Sequence, residues 1–201
     1  MHNNIPKDDD LSRNHIFLTP NGDYSRHLIR LCERCVQHEK KVLLLTQRKM
    51  SSIYLEKPRS LQQLQHWLHI TFKDIESAPR RLIELVDCAP RPHLIVFDMH
   101  SIIAELICRP VLQQCSRETL VRLIAKCAAA FCNYREMLRM SAKPEQQEQH
   151  RLDTIVIMPS ETYPLSAAQF KLLIGLYFYG NKLFTNFTEL AERIRVSQGL
   201  R

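Results

Sequence analysis

The chain has 201 residues, 45% hydrophobic and 24% charged, an ordinary composition for one globular domain able to bury most of its apolar surface. Only 4 glycines argue against an all-β fold of tight turns and against several glycine-rich loops. The net charge of +7 suits an anionic partner, nucleic acid being the commonest, although a mildly basic surface without such a partner has the same balance.

The polar start, Met1 to Asn14 with Asp8-Asp9-Asp10, does not resemble an export signal, and no apolar run reaches the ~20 residues of a membrane span. Residues 1–14 therefore read as a disordered tail and 15–201 as a single domain. The 7 cysteines are expected reduced and largely buried, in cytosol or nucleus.

His15-Ile16-Phe17-Leu18 predicts a short strand, and Ser25 to Lys40 a helix with Leu28, Leu31, Cys32, Cys35 and Val36 on one stripe. Between them lies Thr19-Pro20-Asn21-Gly22-Asp23-Tyr24-Ser25. Strand, turn and amphipathic helix are the layout of a phosphate-binding loop. Such a loop needs several glycines and a lysine for the β/γ charge. Here Gly22 is the one glycine, Tyr24 stands where the lysine belongs, and Asp23 would repel phosphate.

Val42-Leu43-Leu44-Leu45 predicts a strand buried on both faces. His66 to Phe72 predicts another, with Trp67, His69 and Thr71 on one face and Leu68, Ile70 and Phe72 on the other. Ser77 is the expected N-cap of a helix through Leu82, Ile83, Leu85 and Val86, ended by Pro90 and Pro92. His93 to Asp98 is the next buried strand, and its terminal aspartate fits either a Mg²⁺-holding carboxylate or a turn starter.

Residues 101–112 read as an apolar helix broken at Pro110. Ser116 then caps a long helix with the stripe Leu120, Leu123, Ile124, Cys127, Phe131, Tyr134 and Leu138, and Lys143 to Arg151 is a polar loop. Ile155 to Met158 is a buried strand, Ser166 with Gln169 a capping box opening a helix through Tyr177, Leu183-Phe184 a last strand, and Thr188 to Val196 a terminal helix. Strands alternating with helices imply an α/β fold, a mostly parallel sheet with helices on both faces.

In order and spacing these segments resemble a RecA-type recombinase core over residues 15–187. The quoted parts are Ile16 to Pro20 running into a helix, Val42 to Arg48, Leu68 to Phe72, Leu94 to Asp98, the long helix, and Ile155 to Met158. More closely the chain resembles the small SWIM-protein-associated recombinase paralogues of the Shu complex, through Val42 to Arg48, Ala128 to Phe131 and Tyr177-Phe178.

The resemblance implies a RecA-like P-loop core and a nuclear subunit of a DNA-repair complex. Its partners would be a SWIM-type zinc protein and the recombinase filament, assisting homologous recombination on single-stranded DNA. It places the P-loop lysine at Tyr24, the Mg²⁺-ligating hydroxyl at Ser25 and the catalytic glutamate at about Gln47, leaving Asp98 intact. Loss of the lysine and of the water-activating carboxylate together argues for a degenerate nucleotide site formed by Gly22, Tyr24, Ser25, Gln47 and Asp98, with no resident ATP or Mg²⁺. The alternative is a weak ATPase with DNA-stimulated turnover. Arg48 and Lys49 fall where such a core faces DNA, making them the candidate DNA-binding residues.

Three further features have bland counterparts. Cys32, Cys35 and His38 have a spacing that could start a zinc site, but lack a fourth ligand and fit the apolar stripe. Cys88, Cys108, Cys115, Cys127 and Cys132 read as core fillers, so no metal site is expected. Leu172 to Tyr179 is apolar all round, which suits burial within the domain or under a partner. Lys40-Lys41, Arg80-Arg81 and, near the C-terminus, Arg193, Arg195 and Arg201 are further cationic clusters, and solvated helix faces account for most such groups.

Overall fold

A computed structural model describes residues 13–20, 24–47, 65–72, 74–88, 91–108, 116–141, 152–160 and 164–200. Alternating strands and helices follow the order β1 (Asn14–Thr19), α1 (Ser25–Gln37), β2 (Val42–Thr46), β3 (Trp67–Thr71), α2 (Ala78–Cys88) and β4 (Leu94–Asp98). The chain continues with α3 (Met99–Cys108), α4 (Arg117–Met140), β5 (Asp153–Pro159), α5 (Ala167–Tyr177), β6 (Lys182–Phe184) and α6 (Phe187–Gln198). The six strands form one sheet in the order β3-β2-β4-β5-β1-β6, and every pairing is parallel. The expected α/β class with a parallel sheet is what the chain adopts.

Side-chain alternation divides the core between the two faces. Phe17, Val42, Leu44, Val96, Ile155 and Ile157 pack with α1 and with Leu190 and Ile194 of α6. Ile16, Leu43, Leu45, Ile95, Phe97, Val156 and Met158 pack with α2, α3, α4 and α5. Both sides of β2 and β4 are therefore buried, which is why their sequences are continuous apolar runs. Within the second layer Phe97 and Phe131 stack with ring centroids 4.3 Å apart, each fully buried, and burial of a side chain of this kind contributes about 2 kcal/mol.

The helix ends have local causes. α1 stops at Gln37, short of the expected Lys40, because Glu39 takes a left-handed φ of 59°. The turn that follows satisfies the last carbonyls: Arg34 accepts from the His38 N–H, Cys35 from Lys40 and Val36 from Glu39. Ser116 caps α4 by accepting the Thr119 N–H, and the Ser166–Gln169 capping box is formed in full. Ser77 takes the N-cap position of α2 as expected, its carbonyl accepting the Arg81 N–H, but its hydroxyl donates back to the Asp74 carbonyl while Asp74 Oδ1 takes the Ser77 N–H at 2.7 Å. Ile83 lies on the solvent side of α2, while Leu82 and Leu85 are buried.

At the amino edge of the sheet α6 is tied down by polar contacts. The Ser197 hydroxyl donates to both oxygens of Asp153, at 2.9 and 2.8 Å. Gln198 donates to Asp153 and to the His93 carbonyl. Beside them His15 is fully buried, its Nε2 3.9 Å from Asp153 Oδ1.

Candidate functional site

The carboxyl edge of the sheet collects the chemistry. Thr19, Thr46, Thr71 and Asp98 end β1, β2, β3 and β4. The crossover leaving β1 carries α1 on one face, and the one leaving its neighbour β5 carries α5 on the other. Adjacent strands whose connections part in this way open a crevice at their carboxyl ends, the position at which open α/β sheets bind ligands.

Tyr24, the residue before α1, projects into this edge. Its hydroxyl donates to Asp98 Oδ1 at 2.7 Å, and His100 Nδ1 lies 3.4 Å from the same oxygen of Tyr24. The Tyr24 ring meets Phe17 and His100 edge-on, and the residue is buried. Asp98 Oδ1 also accepts the Ser101 N–H at 2.9 Å. Asp98 thus acts as the side-chain acceptor for the first turn of α3, the geometry of an N-cap. Burial pushes the Asp98 carboxyl above its ordinary range, against the lowering effect of the Tyr24 and Ser101 hydrogen bonds and of His100.

Gln47 follows β2, and its N–H donates to Ser101 Oγ at 3.1 Å, while that hydroxyl donates to the Asp98 carbonyl at 2.9 Å. Ser101 therefore bridges the ends of β2 and β4. Next to this bridge, Thr46 Oγ1 and His69 Nε2 are 3.1 Å apart, and burial lowers the His69 pKa.

Of the candidate nucleotide-site residues, Tyr24 and Asp98 are in direct contact and Gln47 joins them through Ser101. Ser25 opens α1 at the same edge, and Gly22, Arg48 and Lys49 lie outside the described residues. Ser101, His100, Thr46 and His69 were not singled out from the sequence. The first carried a signal: Asp98-x-x-Ser101 has the spacing of an N-cap and its third helical residue.

Other candidates fall differently. Cys32 and Cys35 are buried in the core layer under α1, whereas His38 is exposed with Nδ1 2.9 Å from the Arg34 carbonyl, so the three do not converge. Burial raises the Cys35 thiol to about 12, and the Cys127 thiol likewise. Cys127 is core as expected. Cys108, at the last turn of α3, is exposed, a correction to its reading as filler. Cys132 is half-buried and donates to the Tyr177 carbonyl.

The apolar segment of α5 turns only Leu173 fully inward. Leu172 and Leu176, 60% and 65% exposed, lie outside with Tyr179 and with Leu183 of the edge strand β6. Leu172 and Leu176 stand one turn apart on α5, and Leu183 belongs to β6, the last strand in the sheet order. Among the described residues no helix is long and apolar enough to cross a membrane. No protein-family model matches the chain, and comparison with curated proteins finds no significant match.

Proposed function

We propose that the chain is a non-catalytic, RecA-like recombinase paralogue, a nuclear subunit of a DNA-repair complex that assists homologous recombination on single-stranded DNA. The single observation that carries this reading is the Tyr24–Asp98 hydrogen bond. The group standing in the lysine position is used to occupy the carboxylate that would help hold Mg²⁺. Asp98 is also committed to the first turn of α3 through Ser101, so its Oδ1 already accepts two protein hydrogen bonds.

The residues present therefore do not fit ATP–Mg²⁺. Tyr24 offers a neutral phenol where phosphate needs a cation, and the Gln47 amide cannot take a proton from an attacking water. Ser25 alone keeps the chemistry of a Mg²⁺-ligating hydroxyl. The fold is left as a packed scaffold for assembly. The exposed Leu172, Leu176, Tyr179 and Leu183 support a subunit role, since surface of this kind is commonly covered by a partner. The partner expected from the resemblance is a SWIM-type zinc protein, with the recombinase filament assisted through the complex.

The test is a thermal melt of the purified chain with millimolar ATP–Mg²⁺, paired with a phosphate-release assay with and without single-stranded DNA. The expected result is no shift and no turnover, because a ligand in large excess over its Kd would raise stability by several kcal/mol. A clear upward shift together with DNA-stimulated turnover would replace this reading with that of a weak ATPase.

A further inference from the structure

α1 carries its positive charge in a row. Arg26, Arg30 and Arg34 recur at intervals of four residues, so they stand above one another, about 6 Å apart and about 12 Å from first to last. All three are exposed, while Leu28, Ile29, Leu31, Cys32, Cys35 and Val36 bury the opposite side of the helix. On other helices most solvent-facing arginines are paired with an acid one turn away: Arg80 and Arg81 meet Glu84, Arg122 meets Glu118, Arg139 meets Glu136, and the half-buried Arg195 meets Glu192, while the exposed Arg117 donates to the Pro164 carbonyl. Among the described residues none of Arg26, Arg30 and Arg34 is paired in this way.

The row also opposes the helix it sits on. Like charges at i and i+4 repel, and Arg26 lies in a first turn that has no acidic residue, at the positive end of the helix dipole. Only Arg34, in the last turn, is placed favourably. An anion laid along this side would relieve both penalties.

Guanidinium groups are planar forks matched to phosphate. A nucleic acid strand in a duplex presents a phosphate every ~3.4 Å of axis, so the row spans three to four of them. A membrane surface suits the helix poorly, because its apolar side is enclosed in the core and unable to enter lipid. Beside the row lie the exposed His27, Gln37 and His38 and the half-buried Glu33, which offsets part of the positive charge, but no exposed aliphatic residue or phenyl ring, so this side addresses the backbone and not the bases.

We propose that the outer side of α1 binds the phosphate backbone of a nucleic acid strand through Arg26, Arg30 and Arg34. These are other residues than Arg48 and Lys49, which lie outside the described residues. It rests on the guanidinium row and not on the recombinase likeness, so its failure leaves the nucleotide test above unaffected.

Fluorescence anisotropy of the full chain with a labelled oligothymidylate about 30 nucleotides long, over a range of salt, tests it. Substituting R26A, R30A and R34A together is expected to weaken binding about tenfold or more. The slope of log K against log salt should become shallower by about 2, near 0.7 for each phosphate no longer neutralised. A comparison protein with R80A, R81A and R122A loses the same formal charge and is expected to change affinity less than about threefold. Far-UV circular dichroism confirms that both remain folded, and R30E alone provides the same reading if the triple substitution does not fold. Equal losses in the two triple variants, an unchanged affinity in the α1 variant, or no binding by the unmodified chain at low salt would overturn the proposal. So would binding to phosphatidylserine vesicles that is as tight and as dependent on the row.

Discussion

Tyr24 and Asp98, 74 residues apart in sequence, are joined by a 2.7 Å hydrogen bond across the carboxyl edge of the sheet. Their strands are not neighbours. β5 lies between β1 and β4, so the strand ends are about 10 Å apart. The turn after β1 and the length of a tyrosine side chain close that distance. A buried acid with few donors would be costly, and the phenol is the donor that reaches it.

Tyr24→Phe is expected to lower stability by about 1–2 kcal/mol, since it removes one hydrogen bond to a buried acceptor while the ring packing remains. Asp98→Ala is expected to cost more, because it leaves both the Tyr24 hydroxyl and the Ser101 N–H without their acceptor. Asp98→Asn keeps an acceptor oxygen, so its cost should be smaller than that of the alanine variant by about 1 kcal/mol or more. The Asp98 carboxyl is raised by folding, so its contribution to stability is present below the ordinary value of 3.8 and is lost as pH rises through the folded pKa. The asparagine variant should lack that loss. Urea melts at several pH values measure all three effects.

His15 predicts a pH dependence of the opposite sign. Burial, with Arg193 and Lys182 nearby, lowers its pKa from 6.5 to about 4. The unfolded chain therefore binds the proton first, and stability falls as pH drops from 6.5 towards about 4, by about 3 kcal/mol if the group acts alone. Asp153 faces His15 and is itself raised by burial, with the Gln198 and Ser197 hydrogen bonds and then Arg13 and Arg193 acting against that rise, so it offsets part of the loss. Phe184, the other close neighbour, carries no charge. His15→Met removes no hydrogen bond, since both ring nitrogens are buried without one. This variant is expected to hold its stability near neutral pH and to show a flatter acid limb.

The apolar side of α5 and β6 predicts a separation of folding from assembly. Leu172→Glu with Leu176→Glu should leave the melting midpoint nearly unchanged, within about 0.5 kcal/mol, because both side chains already face solvent. Co-elution with the SWIM-type partner, if the proposed function holds, should be lost on size exclusion. A large drop in melting temperature would instead mean that these leucines pack within the domain.

Most of the architecture was legible because burial on two faces writes itself as a continuous apolar run. Val42 to Leu45, Leu94 to Phe97 and Ile155 to Met158 are all enclosed by helices on both sides. The α4 stripe was equally plain, and the hydroxyl caps Ser116 and Ser166 fell where short-range hydrogen bonding requires them. Local geometry was less visible. Nothing in the run from Ser25 to Lys40 announces that Glu39 takes a left-handed turn, and Ile83 fits the α2 periodicity yet faces water. The apolar segment 172–179 has no polar side, so periodicity alone could not say which leucines face outward.

Sequence alone determined the class of fold, the alternation of elements and the absence of a lysine and several glycines from the turn after β1, because these depend on residue type and local spacing. Only the tertiary structure decided that Tyr24 and Asp98 satisfy each other, that Ser101 ties Gln47 to them, and that His15 lies buried against Asp153. Those relationships depend on strand order. A parallel sheet brings together the ends of strands distant in the chain, and the partner of a buried polar group is set by which strands become neighbours.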